Sequence, residues 1–284
     1  MYRGKQRSNE LDGRTWTRYS ISVWNDIRKN SVERKLSHPA LFPITLVERL
    51  LEIFTLPGDT VLDPFMGSGS TLLGAQCLGR RGVGLEISSE YIEMFKKRQA
   101  EIQQVQKEKS SKNGESSAWG RGNNAIRVIK DDSRNINCHI APESLDFCLT
   151  SPPYWDILNA RRTADHKPIR NYGDGQNDLG NIEDYSFFLD ELQKVFKGVY
   201  ASLKMGKYCI VVVMDIRKKN VYYPLHMDLS HVLISLGFIL DDIIIWDRRD
   251  EYNNLRPLGY PHVFRINKVH EFILIFQKRP CDSR

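Results

Sequence analysis

The stretch "TVLDPFMGSGST", residues 60–71, passes from an apolar run into a turn with glycines at 67 and 69 and then into a helical pattern. Gly67 and Gly69 allow a tight backbone and a close ligand approach, and the helix behind them starts with unpaired N–H groups. Such groups could meet a phosphate, but no lysine follows the glycines as GxxxxGK[ST] demands, which argues against a nucleoside triphosphate. A GxG turn is also a common structural turn, so its reading depends on what comes next. About twenty residues on, "GVGLEI" (82–87) is a second strand pattern ending in Glu86, the place where an acidic group accepts from a ribose diol. Turn and carboxylate together point to a nucleoside-bearing cofactor.

The same alternation extends in both directions. "ITLVERLLEIF" (44–54) has helical spacing ahead of the strand at 60–65. Further strands are predicted at 82–87, 125–130, 145–150, 208–214, 238–246 and 271–276, with helices at 70–79, 89–105, 184–203 and 225–236. That βαβα rhythm predicts an α/β fold, a doubly wound and mostly parallel sheet. The last two strands are joined by a turn-rich loop with no crossover helix, so the seventh strand is expected to be antiparallel. Residues 103–124 are polar and rich in Ser, Gly, Asn and Lys, and read as a linker. The expected organisation is a basic arm at 1–37 and a single domain at 38–279. Within it a half at 38–102 binds cofactor, and a catalytic half at 125–279 carries an insert at 155–181.

The chain of 284 residues has a net charge of +6 and a pI near 9.0, a balance suited to a polyanionic partner. Residues 1–37 hold nine Lys/Arg against four Asp/Glu, so the basicity is concentrated in the arm, as a binding arm or a solvated one. No apolar run approaches a membrane span and the first residues lack a signal-peptide core, so the expectation is a cytoplasmic protein with no membrane partner. The five cysteines contain no CxxC pair and the histidines lack paired ligand spacing, so no metal site is expected.

Two further features lie at strand ends. Asp132, in "VIKDDSR", could accept from an adenine amino group, as could its neighbour Asp131. "DFCLTSPPYW" (146–155) ends a strand in Ser151-Pro152-Pro153-Tyr154, a stiff corner because proline fixes φ and biases the preceding residue away from helix. In the predicted sheet this corner leaves the strand beside the first, at the switch point that faces the cofactor crevice. The chemistry that fits is methyl transfer to an exocyclic amine. Such a nitrogen is a poor nucleophile, so a site must align it and accept its hydrogens as positive charge develops. A serine hydroxyl and a proline-fixed carbonyl supply acceptors, and Tyr154 offers a face for a flipped base.

At these residues the sequence resembles the DNA amino-methyltransferases that modify cytosine N4 or adenine N6. "HPALFP" (38–43) is similar to the family's motif X, "DPFMGSGST" to motif I, "GLEIS" to motif II, "DDSR" to motif III, "TSPPY" to motif IV and "VHEFILIFQK" to its last conserved segment. The resemblance implies a Rossmann-like methyltransferase fold and double-stranded DNA as substrate, with a restriction endonuclease as a further candidate partner. It also implies S-adenosylmethionine held by Phe42, Pro43, Asp63, Pro64, Phe65, Gly67, Ser68, Gly69, Thr71, Glu86, Ile87 and Asp132, with Ser151, Pro152, Pro153 and Tyr154 holding the base. Many relatives place motif IV first. Here the cofactor motifs lead, as in a circular permutation joined through 103–124, and recognition is expected from the arm with Trp16 and Trp24, the insert at 155–181 and the loop at 247–270. Ser151 in place of Asp or Asn favours cytosine N4 over adenine N6. Other readings are a protein-glutamine methyltransferase, which usually carries Asn at this position, and a non-catalytic DNA-binding subunit.

Overall fold

The computed structural model describes residues 8–30, 33, 42–113, 125–156, 178–251, 255 and 257–280. In chain order the elements are α1 (Gly13–Tyr19), β1 (Val23–Trp24), α2 (Ile44–Phe54), β2 (Thr60–Asp63), α3 (Ser70–Cys77), β3 (Arg81–Glu86), α4 (Ser89–Asn113) and β4 (Ile126–Lys130). There follow α5 (Ile136–His139), β5 (Leu145–Thr150), α6 (Tyr185–Ser202), β6 (Leu203–Val213), β7 (Ile216–Lys218), β8 (Val221–Tyr223), α7 (Leu225–Ser235), β9 (Ile239–Asp247) and β10 (His270–Gln277).

Eight strands form one sheet in the order β1-β9-β10-β6-β5-β2-β3-β4. β10 runs antiparallel to both β6 and β9, as the helix-free connection before it requires, and the other pairs are parallel. β2 and β5 are neighbours, Val61 opposite Phe147, so the chain diverges to either side of this pair and the crevice opens at their carboxyl ends. Central strands are apolar on both faces because helices cover both. On β6, Cys209, Val211 and Val213 join the core beneath α6 and α7, whereas Ile210 and Val212 join the core with Leu46, Val47, Leu50 and Leu51 of α2.

The structure differs from the sequence reading in three places. The arm is partly woven into the sheet: Val23 and Trp24 pair with Ile245 and Trp246 of β9, and Trp24 is fully buried. Trp24 is therefore a core residue, not one free to read DNA, whereas Trp16 is half exposed. The helix after β3 continues to Asn113, through half of the expected linker, since nothing in "QQVQKEKSSKN" stops a helix. Residues 114–124 lie outside the described residues, as do 38–41 and 157–177 of the expected motif X and insert. The hairpin β7–β8, with three-residue strands, was below the length at which a strand pattern is readable.

Candidate active site

A cleft of about 820 Å³, including its open mouth, sits at the carboxyl ends of β2, β3, β4 and β5. The turn after β2 lines it with Asp63, Pro64, Phe65, Gly67, Ser68 and Thr71. Glu86 and Ile87 come from the end of β3, Asp132 from the end of β4, and Phe42 from the segment entering α2. Ser151 and Pro153 of the rigid corner complete the wall, so most of the residues singled out in the sequence meet here. Pro43, Gly69, Pro152 and Tyr154 do not line the cleft: Pro43 N-caps α2, and Gly69 N-caps α3. Met66, Ser70, Leu85, Ser133, Asp178 and Leu179 line it and were not singled out. Asp178 and Leu179 reach it from the far end of the insert, where an Asp-x-Gly turn is a signal too short to place in space. No Lys or Arg is among the described lining residues.

The turn is braced from below. Gly69 has φ of +79°, and a Cβ there would lie 2.2 Å from a ring carbon of Phe95 on α4, so only glycine fits. One α4 turn later the buried Arg98 donates to Ser68 O at 2.7 Å, Ser68 Oγ at 3.0 Å and Ser70 Oγ at 3.2 Å. Burial lowers the pKa of that guanidinium to about 10.

Glu86 accepts from Gly67 N at 2.9 Å and Ser88 N at 2.8 Å, one bond to each oxygen, which leaves each with a lone pair for a ligand. Burial raises its pKa to about 7 in spite of those bonds, and the carboxylates of Asp178 and Asp63 push the same way. Asp63 is raised to about 6, also by burial, while Thr150 Oγ1 donates to it at 2.7 Å. Asp132 faces the cleft but is forked by Arg134, which also pairs with Glu191. Asp131 pairs with His139 Nε2 at 2.5 Å instead and does not line the cleft. Asp178 accepts from Gly180 N at 2.8 Å, and its other oxygen is buried without a partner among the described residues.

At the corner, Ser151 Oγ donates to Tyr154 Oη at 3.2 Å, and Tyr154 donates to Glu271 Oε2 at 3.0 Å. Glu271 is in turn held by Arg248. Tyr154 is thereby locked against the core, and burial raises its pKa well above the usual phenol value. Trp155 follows with φ of +52°, packed against Tyr185 and Tyr223, with Lys218 Nζ 3.9 Å from its ring centroid. Chemically, the described lining offers acceptors and no fixed cation. It suits a ligand rich in hydroxyl and amine donors or carrying positive charge, and disfavours one bearing phosphates.

A family model described as DNA methylase, N6_N4_Mtase, matches residues 2–97 and 145–281. The type II methyltransferase M.MthZI of Methanothermobacter thermautotrophicus is 34% identical over 82 residues, 27% of this chain and 22% of that one. M.BglI of Bacillus subtilis is 38% identical over 92 residues, covering 31% and 25%. M2.DpnII of Streptococcus pneumoniae is 40% identical over 77 residues, covering 27% and 29%. The chain thus spans only about a quarter of the length of these relatives. Among solved structures, the DNA modification methylase TTHA0409 of Thermus thermophilus complexed with S-adenosyl-L-methionine is 28% identical, with a TM-score of 0.36 over 54% of this chain and 53% of that one. TrmN from Thermus thermophilus is 15% identical, with a TM-score of 0.46 over 83% and 48%.

Proposed function

The chain belongs to the N6/N4 DNA methylase family, and from that premise we propose that it methylates an exocyclic amine of a base in double-stranded DNA, with S-adenosylmethionine as donor. The observation that carries the reading is the carboxylate-lined cleft, with no Lys or Arg among its described lining residues, running up to Ser151 and Pro153. The residues fit this cofactor. Glu86 keeps a free lone pair on each oxygen for a ribose diol, and the second oxygen of Asp178 lacks a partner among the described residues. When bound, S-adenosylmethionine would supply an electrophilic methyl group on a positively charged sulfur. Asp63, Phe65, Gly67, Glu86, Ile87 and Asp132 would hold it, with Phe42 at one end.

At the corner, Ser151 Oγ gives its proton to Tyr154 and so presents lone pairs to an amine. It can accept one amine hydrogen while the Pro152 carbonyl accepts another, aligning the nitrogen and easing the growth of positive charge. The chain Ser151–Tyr154–Glu271 ends on a carboxylate, which biases the hydroxyls to stabilise that charge. The neutral Ser151, in place of Asp or Asn, favours cytosine N4 as the acceptor, as the resemblance to the amino-methyltransferases implies. Digestion of methylated DNA to nucleosides, followed by mass analysis, tests it: N4-methyl-2′-deoxycytidine is expected, and N6-methyl-2′-deoxyadenosine as the sole product would contradict the choice of base.

A further inference from the structure

Phe264, in the loop between β9 and β10, has 94% of its surface exposed, with Tyr260 at 78% and Ile266 at 68% on the same loop. Three large apolar side chains within seven residues of one loop, all largely exposed to water, mark a binding surface. The described part of the loop is built, not slack. Gly259 has φ of +80°, and its carbonyl accepts from His262 N at 2.9 Å and Val263 N at 2.8 Å. Arg265, next to Phe264, donates to Lys219 O at 2.8 Å and Asn220 Oδ1 at 2.5 Å, tying the loop to the β7–β8 hairpin. The hairpin in turn reaches the corner, where Lys218 bonds Asp156 at 2.5 Å and lies over the Trp155 ring.

The roots of the loop are equally fixed. Arg248 N donates to Val269 O at 2.8 Å, and the Arg248–Glu271 pair holds Tyr154. Because β10 is antiparallel, the loop leaves and re-enters the sheet at the edge from which Ser151 emerges. Segments 216–223 and 257–269 together carry five Lys/Arg and no Asp/Glu, a charge balance complementary to DNA phosphates.

We propose that this loop is a wedge for double-stranded DNA, with Phe264 entering the base stack beside the target and the cations of loop and hairpin meeting the flanking phosphates. The proposal rests on the DNA-methylation reading above. Extruding a paired base costs stacking and pairing energy, and an apolar side chain filling the gap offsets it; a mismatched base needs less help.

The test compares kcat/KM on two duplexes, one with the mapped target base paired and one with it mismatched. Phe264→Ala is expected to lose about 10-fold or more on the paired duplex and less than about 3-fold on the mismatched one. Phe264→Leu, still an apolar wedge, is expected to stay within about 3-fold of the parent on both. Binding of S-adenosylmethionine should not change. Equal losses on the two duplexes, or no loss on either, would overturn the wedge. So would a lower sedimentation mass for Phe264→Ala with unaltered activity, which would assign the patch to a second copy of the chain. Failure of the parent chain to methylate any duplex would overturn the methylation reading and the wedge with it.

Discussion

Glu86 carries two demands that pull in opposite directions. Its carboxylate must ionise to accept well from a ribose diol, yet burial raises its pKa to about 7 from an ordinary 4.5. The folded state therefore holds its proton more tightly than the unfolded chain, and this group's contribution to stability falls as pH rises from about 4.5 to about 7. Cofactor affinity should move the other way, weakening as the solution is acidified through about 7. Glu86→Gln should weaken S-adenosylmethionine about 10- to 100-fold, the scale of lost hydrogen bonds to a charged acceptor, and should flatten the pH profile. Calorimetric titration at several pH values checks both, and a variant with unchanged affinity would remove Glu86 from the site. Glu86 was legible in the sequence because an acid at a strand end after a GxG turn has a fixed place in this topology. Asp178 was not, because its approach to the cleft depends on how the chain returns after the insert.

At the scale of elements, the α4 helix carries the binding turn on its back. Phe95 fills the space under Gly69, and Arg98 ties Ser68 and Ser70 together through three hydrogen bonds. Arg98→Ala should cost about 1–3 kcal/mol by leaving the buried Ser68 carbonyl without its donor, read as a lower urea midpoint with an unchanged slope. It should also weaken cofactor binding, because the turn loses its brace. A variant as stable as the parent would show that the turn holds its own shape. The sequence made the strands readable, since apolar runs, glycine turns and helical spacing are local signals, and the helix-free last connection made the reversed final strand readable. Arg98 left no such signal: an arginine in a helical pattern reads as a solvent-facing residue, and only the packing of α4 on the turn makes it a buried donor.

The whole molecule is larger than the predicted seven-stranded core. The segment read as a basic arm adds β1 to the sheet edge, buries Trp24 and Ile27, and is pinned where Arg49 forks Asp26 at 2.8 and 2.7 Å. It also reaches the root of the β9–β10 loop through the Arg28–Asp250 pair. Its charge was visible in composition, but its pairing was not, because two residues give no strand period. Trp24→Ala should cost about 3–5 kcal/mol, a core loss and not a surface one, measurable by denaturant unfolding. Loss of under about 1 kcal/mol would return the segment to a solvated arm. The central claim, a cleft that loads a methyl donor beside a corner that holds a DNA base, is tested most directly by following a labelled methyl group. Incubation with methyl-labelled S-adenosylmethionine and unmethylated duplex DNA should place the label in DNA bases with the parent chain and abolish it with Ser151→Ala, while that variant still binds the donor. Donor binding by the parent chain with no label in DNA, or with the label in protein, would contradict the account.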